Sequence, residues 1–345
     1  MTANETRWGV VGHEWTVATL SHHIHTRRLQ HAYLLSGTPS IGKQTVAVAF
    51  ARALFCTKTN SPCPSPTYCR TCSLVARHKH PDLHMLIPVE TGSFINTGKI
   101  SIDAVRELVH RLSLKPIETN RHVAIISNFE AAARPAADAL LKTLEEPPGN
   151  TIIIITTDNL ANLPSTIVSR CTQLPMRPLL CSTVERALCE NWGASREHSA
   201  TLARISGGRL GLAVRSLSDD TIHENRSAQL SGLLNILPAS RVDRFVFAKN
   251  LTKDREALFA TLDLWACWFR DVMHVAADAN TPLINFDKQT EIAFAANQLT
   301  AGEAARAVSA VRTAQTQLKR NANSRLVIEV LMLEIPHIKV SHNSL

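Results

Sequence analysis

Short, almost uninterrupted apolar runs recur through the first half of the chain: 32–37 (AYLLSG), 83–88 (LHMLIP), 122–127 (HVAIIS), 151–156 (TIIIIT) and a weaker 171–176 (CTQLPM). Runs this short, without apolar–polar alternation, suit strands covered on both faces. Segments of helical periodicity lie between them, at 43–55, 102–114 and 135–146. In the last, Ala137, Leu140, Leu141 and Leu144 form a core-facing stripe, which Pro147-Pro148-Gly149 brings to a stop. Strands alternating with helices predict an α/β domain, a five-stranded parallel sheet with flanking helices, over 1–177.

Beyond residue 177 the strand-like runs disappear. Residues 183–191 and 197–205 read as short helices, SGGRLG at 206–211 breaks the chain, and another helix follows. From 222 to 335 the pattern is helical nearly throughout, with long amphipathic stretches around 241–276, 301–319 and 324–335, and Pro336 as a stop. The expected organisation is therefore an α/β domain (1–177), a small helical domain (178–221) and an all-α C-terminal domain (222–345).

Composition narrows the class. A chain of 345 residues exceeds one core of ordinary size, and its 45% hydrophobic fraction is that of a folded protein. The first ten residues are polar and unlike a signal peptide, and no run approaches the ~18 apolar residues of a membrane span, so the expectation is a soluble cytoplasmic protein without a membrane partner. A net charge of +8 favours an anionic partner, nucleic acid being the commonest, although no Lys/Arg block concentrates the charge.

The first candidate chemistry is GTPSIGKQT at 37–45. With a strand before it and a helix after it, Gly37, Gly42 and Lys43 match a phosphate-binding loop, whose amides, helix N-terminus and lysine would face an anion. A working loop follows the lysine with Ser or Thr to hold Mg²⁺; here Gln44 stands there. Thr45 comes one residue late, rotated about 100° around the helix. The run VAIISNFE ends in Ser127-Asn128, where an ATPase needs carboxylates for the metal and the attacking water. Glu130, a little further on, is a candidate substitute, but its position reads more readily as a solvated loop carboxylate. Two defects in one reaction centre predict a site that has lost hydrolysis.

The second candidate is a cysteine cluster. Four of the eight cysteines, Cys56, Cys63, Cys69 and Cys72, follow one another as C-x6-C-x5-C-x2-C. Zinc takes four soft ligands in a tetrahedron, and a C-x2-C pair supplies two of them from one turn. His78, His80 and His84 are neighbouring alternatives.

Taken together, HAYLLSG with its glycine loop, HPDLHML, ISIDAVRELVHRLSLKP, ALLKTLEEPP and LPSTIVSRC, in this order across about residues 12–180, resemble the delta-prime subunits of bacterial DNA polymerase III, in the AAA+ clamp-loader family. NANSRLVIEVLMLEI at 321–335 is similar to the closing helix of the clamp-loader C-terminal domain. The resemblance implies an AAA+ domain with an inserted zinc module at about 56–72, a helical lid and a helical collar through which subunits assemble. It also implies that Arg170, with Ser169 and Cys171 as its motif, reaches in trans into a neighbouring subunit's ATP site. Thr156 and Thr157 would be sensor residues. Gly211 stands where a family ATPase carries arginine, with Arg209 nearby. The usual zinc module has two residues where this chain has five, Pro64 and Pro66 among them, between Cys63 and Cys69.

Such a subunit is a stator rather than an enzyme on its own. It is a component of a DNA-directed DNA polymerase holoenzyme active in DNA replication, with gamma/tau and delta subunits as direct partners. The sliding clamp and primed DNA are reached through the complex. Zinc would be structural, and ATP neither hydrolysed nor bound by this chain. The alternative is an active, gamma/tau-like AAA+ ATPase subunit that tolerates Gln44, Ser127 and Asn128; a third and weaker option is direct DNA binding by the basic surface.

Overall fold

A computed structural model describes residues 8–59, 61–64, 67–88, 99–219, 221–320 and 322–338. Parts of the expected zinc module (60, 65 and 66, hence Pro66), Asn321 of the closing-helix motif and 339–345 of the expected collar lie outside the described residues. The chain forms two compact units, Met1–Ala203 with Gly207–Ala213, and Arg204–Ser206 with Val214–Leu345.

In the first unit, α1 (Glu14–His25) leads into β1 (Ala32–Ser36) and α2 (Lys43–Phe55). Then come α3 (Arg70–Ala76), β2 (Leu83–Leu86), α4 (Ile102–Ser113), β3 (His122–Ile126), α5 (Arg134–Glu145), β4 (Thr151–Thr157), α6 (Ser165–Val168) and β5 (Thr172–Pro175). The strands pair in parallel in the order β2-β3-β4-β1-β5. The apolar sequences of the central strands β1, β3 and β4 follow from burial on both faces, whereas the edge strands β2 and β5 are only partly buried. Tyr33, Leu35, Val123, Ile125, Ile152 and Ile154 point to one face and meet α2, whereas Leu34, Ala124, Ile126, Ile153 and Ile155 point to the other and meet α4 and α5. Period-two alternation thus divides one sheet between two apolar cores.

The helices begin and end for local reasons. Ser101 caps α4 through its hydroxyl, and Pro135 occupies the first turn of α5. The helix α1 carries no side-chain cap, beginning at His13 in the left-handed region. It is held by Val17 and Leu20 in the core, and the apolar runs gave no sign of it. Three helices follow: α7 (Cys181–Trp192), α8 (Arg196–Ile205) and α9 (Leu210–Ser218).

The second unit is helical: α10 (Thr221–Ile236), α11 (Arg241–Leu251), α12 (Arg255–Ala276), α13 (Gln289–Ala296), α14 (Ala301–Lys319) and α15 (Ser324–Glu334). Its core centres on Trp265, Trp268 and Phe269 of α12, all fully buried. The stretch read as one around 241–276 is two helices. Asp254 accepts from the Ala257 backbone N–H and starts α12 afresh without Gly or Pro. Arg244 of α11, buried, donates to five carbonyls: Ile236 and Leu237 at the end of α10, and Met332, Ile335 and Pro336 at the end of α15. One guanidinium therefore closes two helix C-termini, where carbonyls lack intrahelical partners and positive charge is favoured.

Candidate functional site

The glycine loop leaves the sheet where β1 ends. The Gly37 N–H still bonds Thr157 O at 3.1 Å, continuing the ladder to β4. A Cβ at Gly37 would stand 2.5 Å from Met176 O, so the turn into the loop admits only glycine. Gly42, at φ 105°, then opens α2.

Lys43 is nearly buried and turns inward. Its ammonium donates to Gly37 O at 2.7 Å, Thr38 O at 3.0 Å and Asp158 Oδ1 at 2.6 Å, which uses all three of its protons. Asp158 follows directly after β4, and its N–H donates to Glu130 Oε1 at 2.9 Å. Glu130 is therefore not the solvated loop carboxylate its position suggested. Burial raises its pKa, and its Oε2 is buried without a hydrogen-bond partner. A nearby 3-10 turn, Phe129–Ala131, folds the side chain back onto the end of β4, a local geometry the sequence pattern does not carry.

Gln44 and Thr45 are exposed and line a cleft of about 350 Å³ with Trp8, Val48, Arg52 and His78. Ser127, where a metal-binding carboxylate would stand, is buried, and its hydroxyl has no partner. Asn128 adopts φ 49°, and its N–H donates to the Thr156 hydroxyl at 3.0 Å. Thr157 exchanges hydrogen bonds with the Asn159 backbone. Thr156 thus holds the turn after β3, and Thr157 the turn after β4.

The loop is also met from α9. Gly211 N–H donates to Ser40 O at 2.8 Å, and a Cβ at position 211 would lie 2.7 Å from that oxygen. An arginine has no room there while this contact holds. On the other side His13 Nε2 donates to Ile41 O at 2.8 Å, and burial holds the imidazole pKa below its usual value.

The four cysteines come together as their spacing predicts. Sulfurs of Cys56, Cys63, Cys69 and Cys72 all lie within 4.8 Å of one another, with Cys56 and Cys63 3.6 Å apart. A tetrahedron of Zn–S bonds near 2.3 Å places its sulfurs about 3.8 Å apart, so the donor set fits zinc. Cys69 caps α3, its sulfur accepting from Cys72 N–H. Burial acts to raise the Cys56 thiol, yet hydrogen bonds from the Thr59 and Lys58 backbone and the Thr59 hydroxyl outweigh it and bring the pKa down to about 6. Burial pushes Cys72 up to about 12. Arg52 of α2 ties the module down, donating to Cys63 O while its guanidinium lies 4.3 Å from the Tyr68 ring centroid. Of the alternative histidines, His80 stacks on Phe55, His84 bonds His122 at 3.2 Å, and His78 lines the cleft beside Gln44 and Thr45.

Arg170 lies in the turn between α6 and β5. Its guanidinium donates to Glu145 Oε1 at 2.5 Å and to Thr166 O at 3.0 Å, and about a third of the side chain is exposed. Ser169 bonds Thr166 O, while Cys171 sinks into the core beside Ile167, its thiol raised to about 12 by burial. β5 runs parallel to β1 with Thr172 level with Tyr33. Arg170 therefore stands at the N-terminal end of the sheet, whereas the glycine loop leaves from the C-terminal end. At about 3.3 Å per residue the two are roughly 15–20 Å apart, beyond the reach of one side chain. The structure brings Lys43, Asp158 and Glu130 together and keeps Arg170 away from them.

Comparison with known proteins identifies the family. Residues 12–180 match the family described as "DNA polymerase III, delta subunit", and 222–337 match "DNA polymerase III, delta subunit, C terminal". The chain is 30% identical over 311 residues to DNA polymerase III subunit delta' of Bacillus subtilis, covering 89% of this chain and 91% of that one. DNA polymerase III subunit tau/gamma of Haemophilus influenzae is 34% identical over 172 residues, 49% of this chain and 23% of the relative. Among solved structures, a gamma subunit-related protein of Thermotoga maritima aligns over 92% of this chain and 97% of its own, at 15% identity and a TM-score of 0.39. With a delta' relative matched over nearly its full length and both family regions in order, the chain belongs to the delta' subunit family of bacterial DNA polymerase III.

Proposed function

We propose that this chain is a non-catalytic stator of the DNA polymerase III clamp loader. In this role it lends Arg170 to a neighbouring subunit's ATP site and supports ATP-dependent loading of the sliding clamp on primed DNA. The observation that carries this reading is the position of Arg170 at the end of the sheet opposite its own glycine loop. A guanidinium so placed has no phosphate to serve within its own chain, and its charge suits the oxygens of a phosphoryl group in transfer. Its exposed ion pair with Glu145 holds it by less than about 1 kcal/mol, so exchanging the carboxylate for a phosphate costs little.

The chain's own site supports the same reading. Lys43 is engaged by Asp158, the Mg²⁺-binding hydroxyl is replaced by Gln44, and Ser127-Asn128 stand in place of acidic residues. The loop neither hydrolyses ATP nor, with its ammonium satisfied internally, holds it. Cys56, Cys63, Cys69 and Cys72 would bind one structural Zn²⁺. The metal would fix the segment between α2 and α3 and take no part in hydrolysis.

The similarity to tau/gamma subunits favours one competing reading, an active ATPase that tolerates these substitutions. ATP hydrolysis by a loader containing this chain, with every other ATP site disabled, separates the two. The stator reading expects turnover at the background of the loader lacking this chain; turnover above that background overturns it.

A further inference from the structure

The four clustered cysteines are not equivalent. Cys63, Cys69 and Cys72 are buried, at 6, 9 and 0% exposure, whereas Cys56 is partly open to solvent. We propose that Cys56 is an oxidation site: hydrogen peroxide joins it to Cys63 as a reversible disulfide and thereby empties the zinc cluster. The inference rests on the zinc assigned above and is independent of the role of Arg170.

Access and freedom of movement both select this pair. Peroxide reaches a sulfur only where solvent does, and buried structural cysteines are inert toward it, so Cys56 reacts first. The Cys63 sulfur lies 3.6 Å from that of Cys56. A disulfide brings the two to about 2.0 Å. Cys56 follows α2 with extended backbone, at φ −62° and ψ 122°, and residues 57–59 and 61–64 belong to no helix or strand. Neither sulfur is therefore tied to a regular element that must break for the bond to close. Cys69 and Cys72 are held differently. Both stand at the start of α3, where the Cys69 sulfur accepts from the Cys72 N–H at 3.4 Å, and joining them to each other gives up that cap.

One molecule of peroxide balances the reaction. The Cys56 thiolate attacks a peroxide oxygen: an S–O bond forms, the O–O bond breaks, and the departing hydroxide is protonated to water. The Cys63 thiolate then attacks the Cys56 sulfur, forming the S–S bond as the S–O bond breaks and a second hydroxide leaves, again to be protonated. Two electrons pass from the two thiolates to one hydrogen peroxide, which ends as two waters. Half of the donor set is then spent, and Cys69 and Cys72 alone cannot complete a tetrahedral site.

The change stays local. The cysteines pack as a small cluster of their own, separate from the two cores that cover the sheet. Opening the cluster therefore loosens the segment between α2 and α3 and leaves the α/β unit folded.

The test uses the full chain carrying Cys181→Ser, which removes the exposed thiol of α7 from competition. The zinc-loaded protein is treated with about one equivalent of hydrogen peroxide. Released metal is followed with a chromogenic chelator, disulfides are located by mass spectrometry after free thiols are blocked, and helix content is followed by circular dichroism. The expected result is loss of one zinc per chain, a main disulfide between Cys56 and Cys63 with Cys69 and Cys72 recovered as thiols, and unchanged helix content. Dithiothreitol with added Zn²⁺ should restore the metal. Zinc retained with Cys56 still a thiol, or a main disulfide joining Cys69 to Cys72 or to Cys63, overturns the proposal and leaves the structural zinc standing. Sulfinic or sulfonic acid at Cys56 without a disulfide overturns the reversible step and with it the proposal. A chain that neither carries zinc nor takes it up overturns both the proposal and the zinc assignment.

Discussion

Lys43 and Asp158 form a 2.6 Å ion pair where the lysine of a working loop would meet phosphate. With Gly37 O and Thr38 O taking its remaining protons, the ammonium is a structural tie between the loop and the end of β4. Lys43→Met is therefore expected to lower stability to urea by about 1–3 kcal/mol, because a nearly buried charge-assisted hydrogen bond is lost. The ATP turnover of the assembled loader should stay within about twofold of wild type. A collapse of turnover with stability intact would show that Lys43 serves a nucleotide after all.

The cysteine cluster predicts one zinc per chain, measured by elemental analysis of protein purified without added metal. Cys63→Ser and Cys69→Ser should each lose most of it and lower the melting temperature, since metal binding and folding of such a segment are linked. His80→Ala should keep the metal, because His80 lies against Phe55 outside the sulfur cluster.

Arg244 predicts the largest single-residue effect in the helical unit. Arg244→Ala leaves five carbonyls at two helix ends without their donor and should cost at least about 3 kcal/mol in chemical unfolding. Arg244→Lys should rescue little, because one ammonium cannot span what the planar guanidinium spans.

Asp82, fully buried, links the start of β2 to the loop before β3. Burial acts to raise its pKa, but hydrogen bonds from the Ile117, Glu118 and Thr119 backbone and the Thr119 hydroxyl outweigh it and hold the carboxyl below its usual value. A depressed folded pKa gives stability that is fully present above the unfolded value, about 3.9, and is lost as pH falls through the folded one. The stability gap between wild type and Asp82→Asn should therefore be constant near neutrality and close on acidification below about pH 4. A gap that persists undiminished at lower pH would remove Asp82 from this role.

Much of this was legible where one physical constraint governs several consecutive residues. The three central strands β1, β3 and β4 announced themselves because burial on both faces leaves almost no polar positions, the half-exposed edge strands β2 and β5 did so more weakly, and the cysteines were legible because zinc needs soft ligands close together. The first helix, α1, was not legible: it has no side-chain cap and its apolar stripe is short. Nor was the break between α11 and α12, which depends on the single side chain of Asp254. At the loop, Gln44 and Ser127-Asn128 signalled a defect, yet the engagement of Lys43 by Asp158, 115 residues away, and of Ser40 by Gly211 are long-range contacts that no local pattern records. The position of Arg170 opposite its own loop needed the register of β5 on β1.

The most direct test of the central claim is ATP turnover at the neighbouring subunit's site in a reconstituted loader, with all other sites disabled, comparing wild type with Arg170→Ala. A trans arginine finger contributes about 10³–10⁵ to turnover in well-characterised nucleotide hydrolases, so a fall of at least about 100-fold with assembly intact is expected. Unchanged turnover in a fully assembled Arg170→Ala loader would contradict the account.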